Sequence, residues 1–149
     1  MDQTRIREAR DEDVAQILEL YCEAGIGAKE AFTPDEARAQ LRMFRSYPSL
    51  RVFVAEVDGQ IVGTCELLIM DNLAKRGRKS AIVEDVAVSP KHQGHGIGRA
   101  MIQHAMCEAK NAGCYKVVLS SNLQRPDSYA FYEAIGFERH GYSFRVDLK

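Results

Sequence analysis

Three stretches of the chain carry residue types that can do chemistry. The first is Gln93-Gly94-His95-Gly96-Ile97-Gly98-Arg99. Three glycines at alternate positions let successive backbone N–H groups point into one concavity, and a helix start behind them adds partial positive charge. Such a loop holds phosphate or pyrophosphate, although a tight turn without a ligand carries the same pattern. It has neither the G-x-G-x-x-G spacing of a dinucleotide fold nor the G-K-[ST] of a triphosphate loop. The second stretch is Glu84-Asp85, two carboxylates inside the otherwise apolar run from Ser80 to Val88. Desolvation there raises a carboxyl towards the range of a useful base, the functional reading of Glu84; a structural, hydrogen-bonded carboxylate is the other. Strand alternation puts Asp85 on the opposite face. The third runs from Ser120-Ser121-Asn122-Leu123-Gln124-Arg125 into the aromatic segment Ala130-Phe131-Tyr132-Glu133-Ala134-Ile135-Gly136-Phe137. Arg125 is either a bidentate partner for an anion or an ordinary helix-start residue.

These groups need elements to position them. Residues 3–9 read as a short strand, and Val14, Ile17, Leu18 and Tyr21 recur at helical spacing behind Asp11, an available N-cap. Thr33-Pro34-Asp35-Glu36 is a capping box with proline at the first helical position, followed by the apolar stripe Ala37, Leu41 and Phe44. Residues 51–57 and 60–70 are strand-like around Asp58-Gly59, a two-residue hairpin signal. The continuous run 80–88 predicts a central strand covered on both faces. A helix over 98–112 ends at Gly113, and 115–121 is a further strand. Residues 126–135 predict a helix closed by Gly136, and 137–148 a final strand. One helix between the strands at 80–88 and 115–121 makes them parallel, with both C-terminal ends on the edge where open α/β sheets bind ligands. The glycine loop and the 120–132 stretch both begin at that edge.

Composition narrows the alternatives. The 149 residues suffice for one domain, 1–149, and no repeat or linker divides them. Twenty Lys+Arg against 21 Asp+Glu leave a net charge of -1, so no bulk attraction draws the chain to nucleic acid or anionic lipid. No apolar run exceeds four residues, so no membrane span is expected. The first residues carry early acids and no apolar core, so no targeting peptide is expected either. The four cysteines and four histidines show no metal-ligand spacing. Free thiols and a cytoplasmic location are expected, with no metal. The basic run Lys75 to Lys79 reads as a solvated hairpin tip.

Ile82 to Pro90, followed by Gln93-Gly94-His95-Gly96-Ile97-Gly98, closely resembles motif A of the GNAT superfamily of acetyl-CoA-dependent N-acetyltransferases. Residues 130–137 resemble motif B, and the order of elements is similar over nearly the whole chain. The resemblance implies the GNAT fold, an α/β arrangement with a central mixed, twisted sheet, helices on both faces and a splayed parallel strand pair. It implies acetyl-CoA as co-substrate, its pantetheine arm in the splay against Val86, Ala87 and Val88, and its pyrophosphate on the amides of Gln93, Gly94, His95, Gly96, Ile97, Gly98 and Arg99. A backbone N–H near Val88 would polarise the thioester carbonyl. Tyr132 matches the tyrosine that serves the departing thiolate, and Glu84 matches a common position of the base. That base is needed because an alkylammonium leaves little free amine at neutral pH. Attack is direct, so the cysteines need no role.

The turn at 120–129 resembles aminoalkylphosphonate N-acetyltransferases, and the Glu84-Asp85 pair resembles glucosamine-6-phosphate N-acetyltransferases. Both imply a small primary amine bearing an anionic oxyacid, with Asn122 and Arg125 at the acceptor. A protein N-terminus or lysine is the second acceptor class, and a non-catalytic CoA-sensing module the third reading. The resemblance also implies a homodimer.

Overall fold

The computed structural model describes residues 3–27, 32–47, 49–122 and 126–148. The chain falls into two compact units, Met1–Val118 and Leu119–Lys149. The first holds a five-stranded sheet in the order β1 (Arg5–Glu8), β2 (Leu50–Val57), β3 (Gln60–Met70), β4 (Lys79–Val88), β5 (Cys114–Val118). All neighbours are antiparallel except β4 and β5, the parallel pair expected from the single intervening helix. Helices α1 (Val14–Glu23), α2 (Pro34–Phe44) and α3 (Ile97–Asn111) complete the unit.

Period-2 alternation in β2 divides the core between the two faces. Val52 and Val54 pack with Ile17 and Leu20 of α1 and with Leu41 and Phe44 of α2. Phe53 points the other way, edge-on to His104 of α3 at 4.8 Å between ring centroids. Next to it, Arg51 reaches Glu108 of the same helix at 2.8 Å. The sheet is therefore covered on both sides, which is why β4 reads as a nearly continuous apolar run.

Local signals form as expected at two places. The Thr33 amide donates to Glu36 Oε2 at 2.9 Å and the Glu36 amide to Thr33 Oγ1 at 3.3 Å, closing the capping box. Asp58 and Gly59 both take positive φ, 50° and 79°, in the hairpin turn. The expected N-cap at Asp11 is different. Residues Asp11–Asp13 form a 3-10 turn, and Asp11 instead binds Arg42 and Arg45 of α2 at 2.8 and 2.9 Å. Asp13, 3% exposed, accepts from both terminal guanidinium nitrogens of Arg7, whose Nε donates to Glu56. The basic run is exposed, with Lys75–Gly77 as a 3-10 turn between β3 and β4.

The second unit contains α4 (Pro126–Ala134), closed by Gly136 and Phe137 amides donating to Glu133 and Tyr132 carbonyls. The strand expected over 137–148 is absent: the described residues of that stretch are irregular. Its alternation is intact, but Tyr142, Phe144, Val146 and Leu148 are 79–92% exposed. A strand exists through its ladder partner, and this segment has none among the described residues.

Candidate active site

The pairing of β4 with β5 runs from Lys79↔Cys114 to Ile82↔Val118 and stops there, while β4 continues to Val88. On its other side β4 stays bonded to β3 as far as Gly63↔Val88. Beyond Ile82 that edge of a central strand has no ladder partner among the described residues. The Ser89 amide is spent on the Val62 carbonyl of β3 at 2.8 Å. Alternation along the strand then turns the N–H and C=O of Val88 to the open edge, where the Gln93 side chain donates to the Val88 carbonyl at 3.2 Å. Val86, Ala87 and Val88 lie in the stretch of β4 beyond its last pairing with β5.

A bulge shapes the same stretch. Thr64 opposes Ala87 and Glu66 opposes Glu84, so Asp85 and Val86 together face the single residue Cys65. Asp85 adopts φ 49°, a left-handed conformation that short polar side chains tolerate at a cost of about 1–2 kcal/mol. The bulge breaks the alternation that put Asp85 on the far face. Its charge acts on Tyr21 of α1, on Glu66 and on Glu84, so the three carboxylates share one neighbourhood. Glu84 is exposed, and desolvation and then Asp85 raise its carboxyl above the ordinary range. Glu66, half-buried, is pushed up to about 7 by desolvation, then by Asp85 and Glu84, with the Tyr21 phenol pulling it back. Desolvation and the charges of Glu66 and Asp85 raise Tyr21 in turn, while its interaction with Thr64 opposes them. Thr64 is anchored by donating to the Phe53 carbonyl at 3.0 Å.

Glu66 and Tyr21 are the residues that the sequence reading missed. Glu66 carried the same signal as Glu84, a lone carboxylate inside an apolar strand run. Tyr21 carried none, because it occupies the apolar stripe of α1 like any core aromatic.

The glycine loop follows β4 through a 3-10 turn, Pro90–His92, and enters α3 at Ile97, one residue before the expected start. Gly94 and Gly96 take φ of 79° and 80°, the left-handed backbone that favours glycine, and Gly96 caps α3. Gly98 already lies within the helix. The His95 Nδ1 sits 3.0 Å from the Gln93 carbonyl oxygen, and Gln93, Gly94, His95, Gly96 and Arg99 are exposed. The Nδ1 of His92 is buried with no partner among the described residues. An open strand edge leading to exposed amides at the N-terminus of a 15-residue helix can bind an extended amide chain ending in phosphates.

In the second unit, Tyr132 on α4 lies edge-on to Phe131 and Phe137 at 5.1 and 5.9 Å. The Asn122 carbonyl accepts from the Tyr129 hydroxyl at 3.3 Å, and Arg139 stacks on the Tyr129 ring while pairing with Glu133. Arg125 lies outside the described residues. Among the described residues no group of His, Cys, Asp and Glu could hold a metal ion.

Comparison with known proteins gives a consistent result. The model of the acetyltransferase (GNAT) family matches residues 12–137. A glucosamine 6-phosphate N-acetyltransferase of Trypanosoma brucei brucei is 39% identical over 99 residues, covering 66% of this chain and 65% of the relative. The match thus spans just under two thirds of that relative's length. A putative acetyltransferase from Agrobacterium tumefaciens superposes with a TM-score of 0.89 at 35% identity, covering 97% of this chain and 99% of its own. A glucosamine-6-phosphate N-acetyltransferase from Arabidopsis thaliana superposes at 0.88 over 99% and 100% of the two chains; at 23% identity it speaks for the fold alone.

Proposed function

Because the chain belongs to the acetyltransferase (GNAT) family, we propose that it transfers the acetyl group of acetyl-CoA to the primary amine of a small molecule bearing an anionic phosphate or phosphonate. The observation that carries this reading is the open edge of β4 leading straight into the Gly94–Gly96 turn and the amides of α3. The residues fit the co-substrate: Val86 to Val88 offer a backbone ladder, and Gln93 to Arg99 a phosphate cradle. Acetyl-CoA supplies the activated thioester. The Val88 N–H donates to the carbonyl oxygen as charge develops there, the carboxylates of Glu66, Glu84 and Asp85 hold and deprotonate the acceptor, and Tyr132 gives a proton to the leaving sulfur.

The acceptor class draws on the Trypanosoma brucei relative's name and on the Asn122 and Arg125 segment. The guanidinium of Arg125 is the chemical partner proposed for the oxyacid. We also propose a homodimer, supported by the four exposed apolar residues of the 137–148 segment, and a reducing, cytoplasmic setting, supported by four free thiols.

The test offers the purified protein acetyl-CoA with amino sugar phosphates, aminophosphonates, polyamines, aminoglycosides and peptides, and follows CoA release. Turnover restricted to anionic small amines supports the reading. Turnover of peptides alone, or tight acetyl-CoA binding with silence across the panel, overturns it.

A further inference from the structure

Glu66 stands directly opposite Glu84 in the β3–β4 ladder, one strand removed from the open edge of β4. Adjacent strands are about 4.8 Å apart, within the reach of a glutamate side chain. The two share the α1 face of the sheet, because Val52, opposite Glu66 on β2, packs with Ile17 and Leu20 of α1. The groups facing Glu66 are Tyr21 from α1 and Glu84 and Asp85 from β4, with the Cys65 thiol next to it in β3. From β2 it meets Val52, which carries no charge. No cation is among these groups, so among the described residues Glu66 is in no ion pair.

We infer that Glu66 is the general base that takes the acceptor's proton, while Glu84 and Asp85 hold the ammonium at the open edge. This rests on the transferase reading above. It departs from the sequence expectation, which gave that role to Glu84. Glu84 is exposed and less desolvated than half-buried Glu66, which suits a group that attracts a cation. Glu66 is half-buried among like charges, and its carboxyl, near 7, is matched to proton transfer at neutral pH.

The step balances as follows. An N–H bond of the acceptor ammonium breaks, its electron pair stays on nitrogen, and the proton passes to a Glu66 carboxylate oxygen. The freed pair forms the bond from nitrogen to the thioester carbonyl carbon. The C–S bond then breaks with its electrons on sulfur, Tyr132 gives that sulfur a proton, and the second nitrogen proton restores the phenol. Glu66 returns its proton to solvent, so each turnover releases one proton.

The experiment combines direct titration with kinetics. In the wild-type protein, carboxyl-carbon NMR should show Glu66 titrating near pH 7, and Tyr21→Phe should move that midpoint upward, since the phenol favours the charged form. The acidic limb of the kcat/KM profile should follow the same midpoint in both proteins, a shift that a merely structural role would not produce. Glu66→Gln should lower kcat roughly 100-fold or more and abolish that limb, with Glu66→Asp recovering part of the rate. Glu84→Gln should raise KM for the amine and keep the limb, shifted to lower pH because one of the charges that raise Glu66 is gone. Should Glu66→Gln fail to fold, the wild-type and Tyr21→Phe titrations still decide. A Glu66 midpoint near 4.5, or a limb that tracks Glu84 instead, overturns the assignment. A wild-type protein that acetylates no amine overturns the transferase reading itself, which is a different result from an active enzyme indifferent to Glu66.

Discussion

Arg7 grips Asp13 with two guanidinium nitrogens, at 2.7 and 2.9 Å, while its third nitrogen reaches Glu56. Burial alone would raise the Asp13 carboxyl, but Arg7 and the Arg10 amide outweigh it and hold it below its ordinary value. A depressed carboxyl stabilises the fold above its unfolded pKa and loses that contribution as pH falls through the folded one. Arg7→Met leaves Asp13 buried with the Arg10 amide but without its cation, at an expected cost of about 3 kcal/mol at pH 7. Urea unfolding at pH 7 and below pH 4 checks both the loss and its shrinkage in acid.

Glu66 has the opposite sign. The native protein keeps its proton up to about pH 7, whereas the unfolded chain releases it near 4.5, so stability falls as pH rises between those values. Glu66→Gln should melt higher than wild type at pH 8, by roughly 3–6 °C after allowance for solvent screening, and equally at pH 4. Melting curves across that window decide. A variant less stable at pH 8 contradicts the raised carboxyl.

Gly96 sits at φ 80° with nothing within 4 Å of an added Cβ. The cost of Gly96→Ala is therefore backbone strain alone, about 1–2 kcal/mol. If the turn aims amides at pyrophosphate, CoA affinity should drop roughly tenfold by calorimetry, because the loop relaxes away from that geometry. Unchanged affinity would separate the turn from the cofactor.

Tyr132→Phe keeps the ring that meets Phe131 and Phe137 and removes only the hydroxyl. With Tyr132 as proton donor to sulfur, kcat should fall about 10- to 100-fold with CoA affinity nearly constant. Loss of affinity with kcat retained refutes that role.

Phe144 and Val146 are 92% and 79% exposed. Phe144→Asp with Val146→Asp should convert the proposed homodimer to monomer in light scattering. A wild-type protein that is already monomeric removes the dimer.

Periodicity made most of the framework legible. Val52, Phe53 and Val54 alternate as their two-sided burial requires, and the Thr33–Glu36 box opens α2 where its residue types place it. What escaped was set by relations between strands. The bulge at Asp85 and Val86 exists only in register with Cys65, so no pattern within residues 80–88 could reveal that Asp85 joins Glu84. Glu66 mattered only once the ladder set it opposite Glu84. The final strand was misjudged for the reciprocal reason, since residues 137–148 alternate correctly but pairing is not written in one strand's sequence.

The edge of β4 left unpaired among the described residues would make a bound ligand's backbone part of the sheet's own architecture. A pantetheine amide laid along Val86 and Val88 would extend the ladder as a short extra strand, exchanging solvent for hydrogen bonds of the same kind. Cofactor arrival should then register as slowed amide hydrogen exchange at the end of β4, felt through the shared register as far as Gly63 and Thr64 of β3.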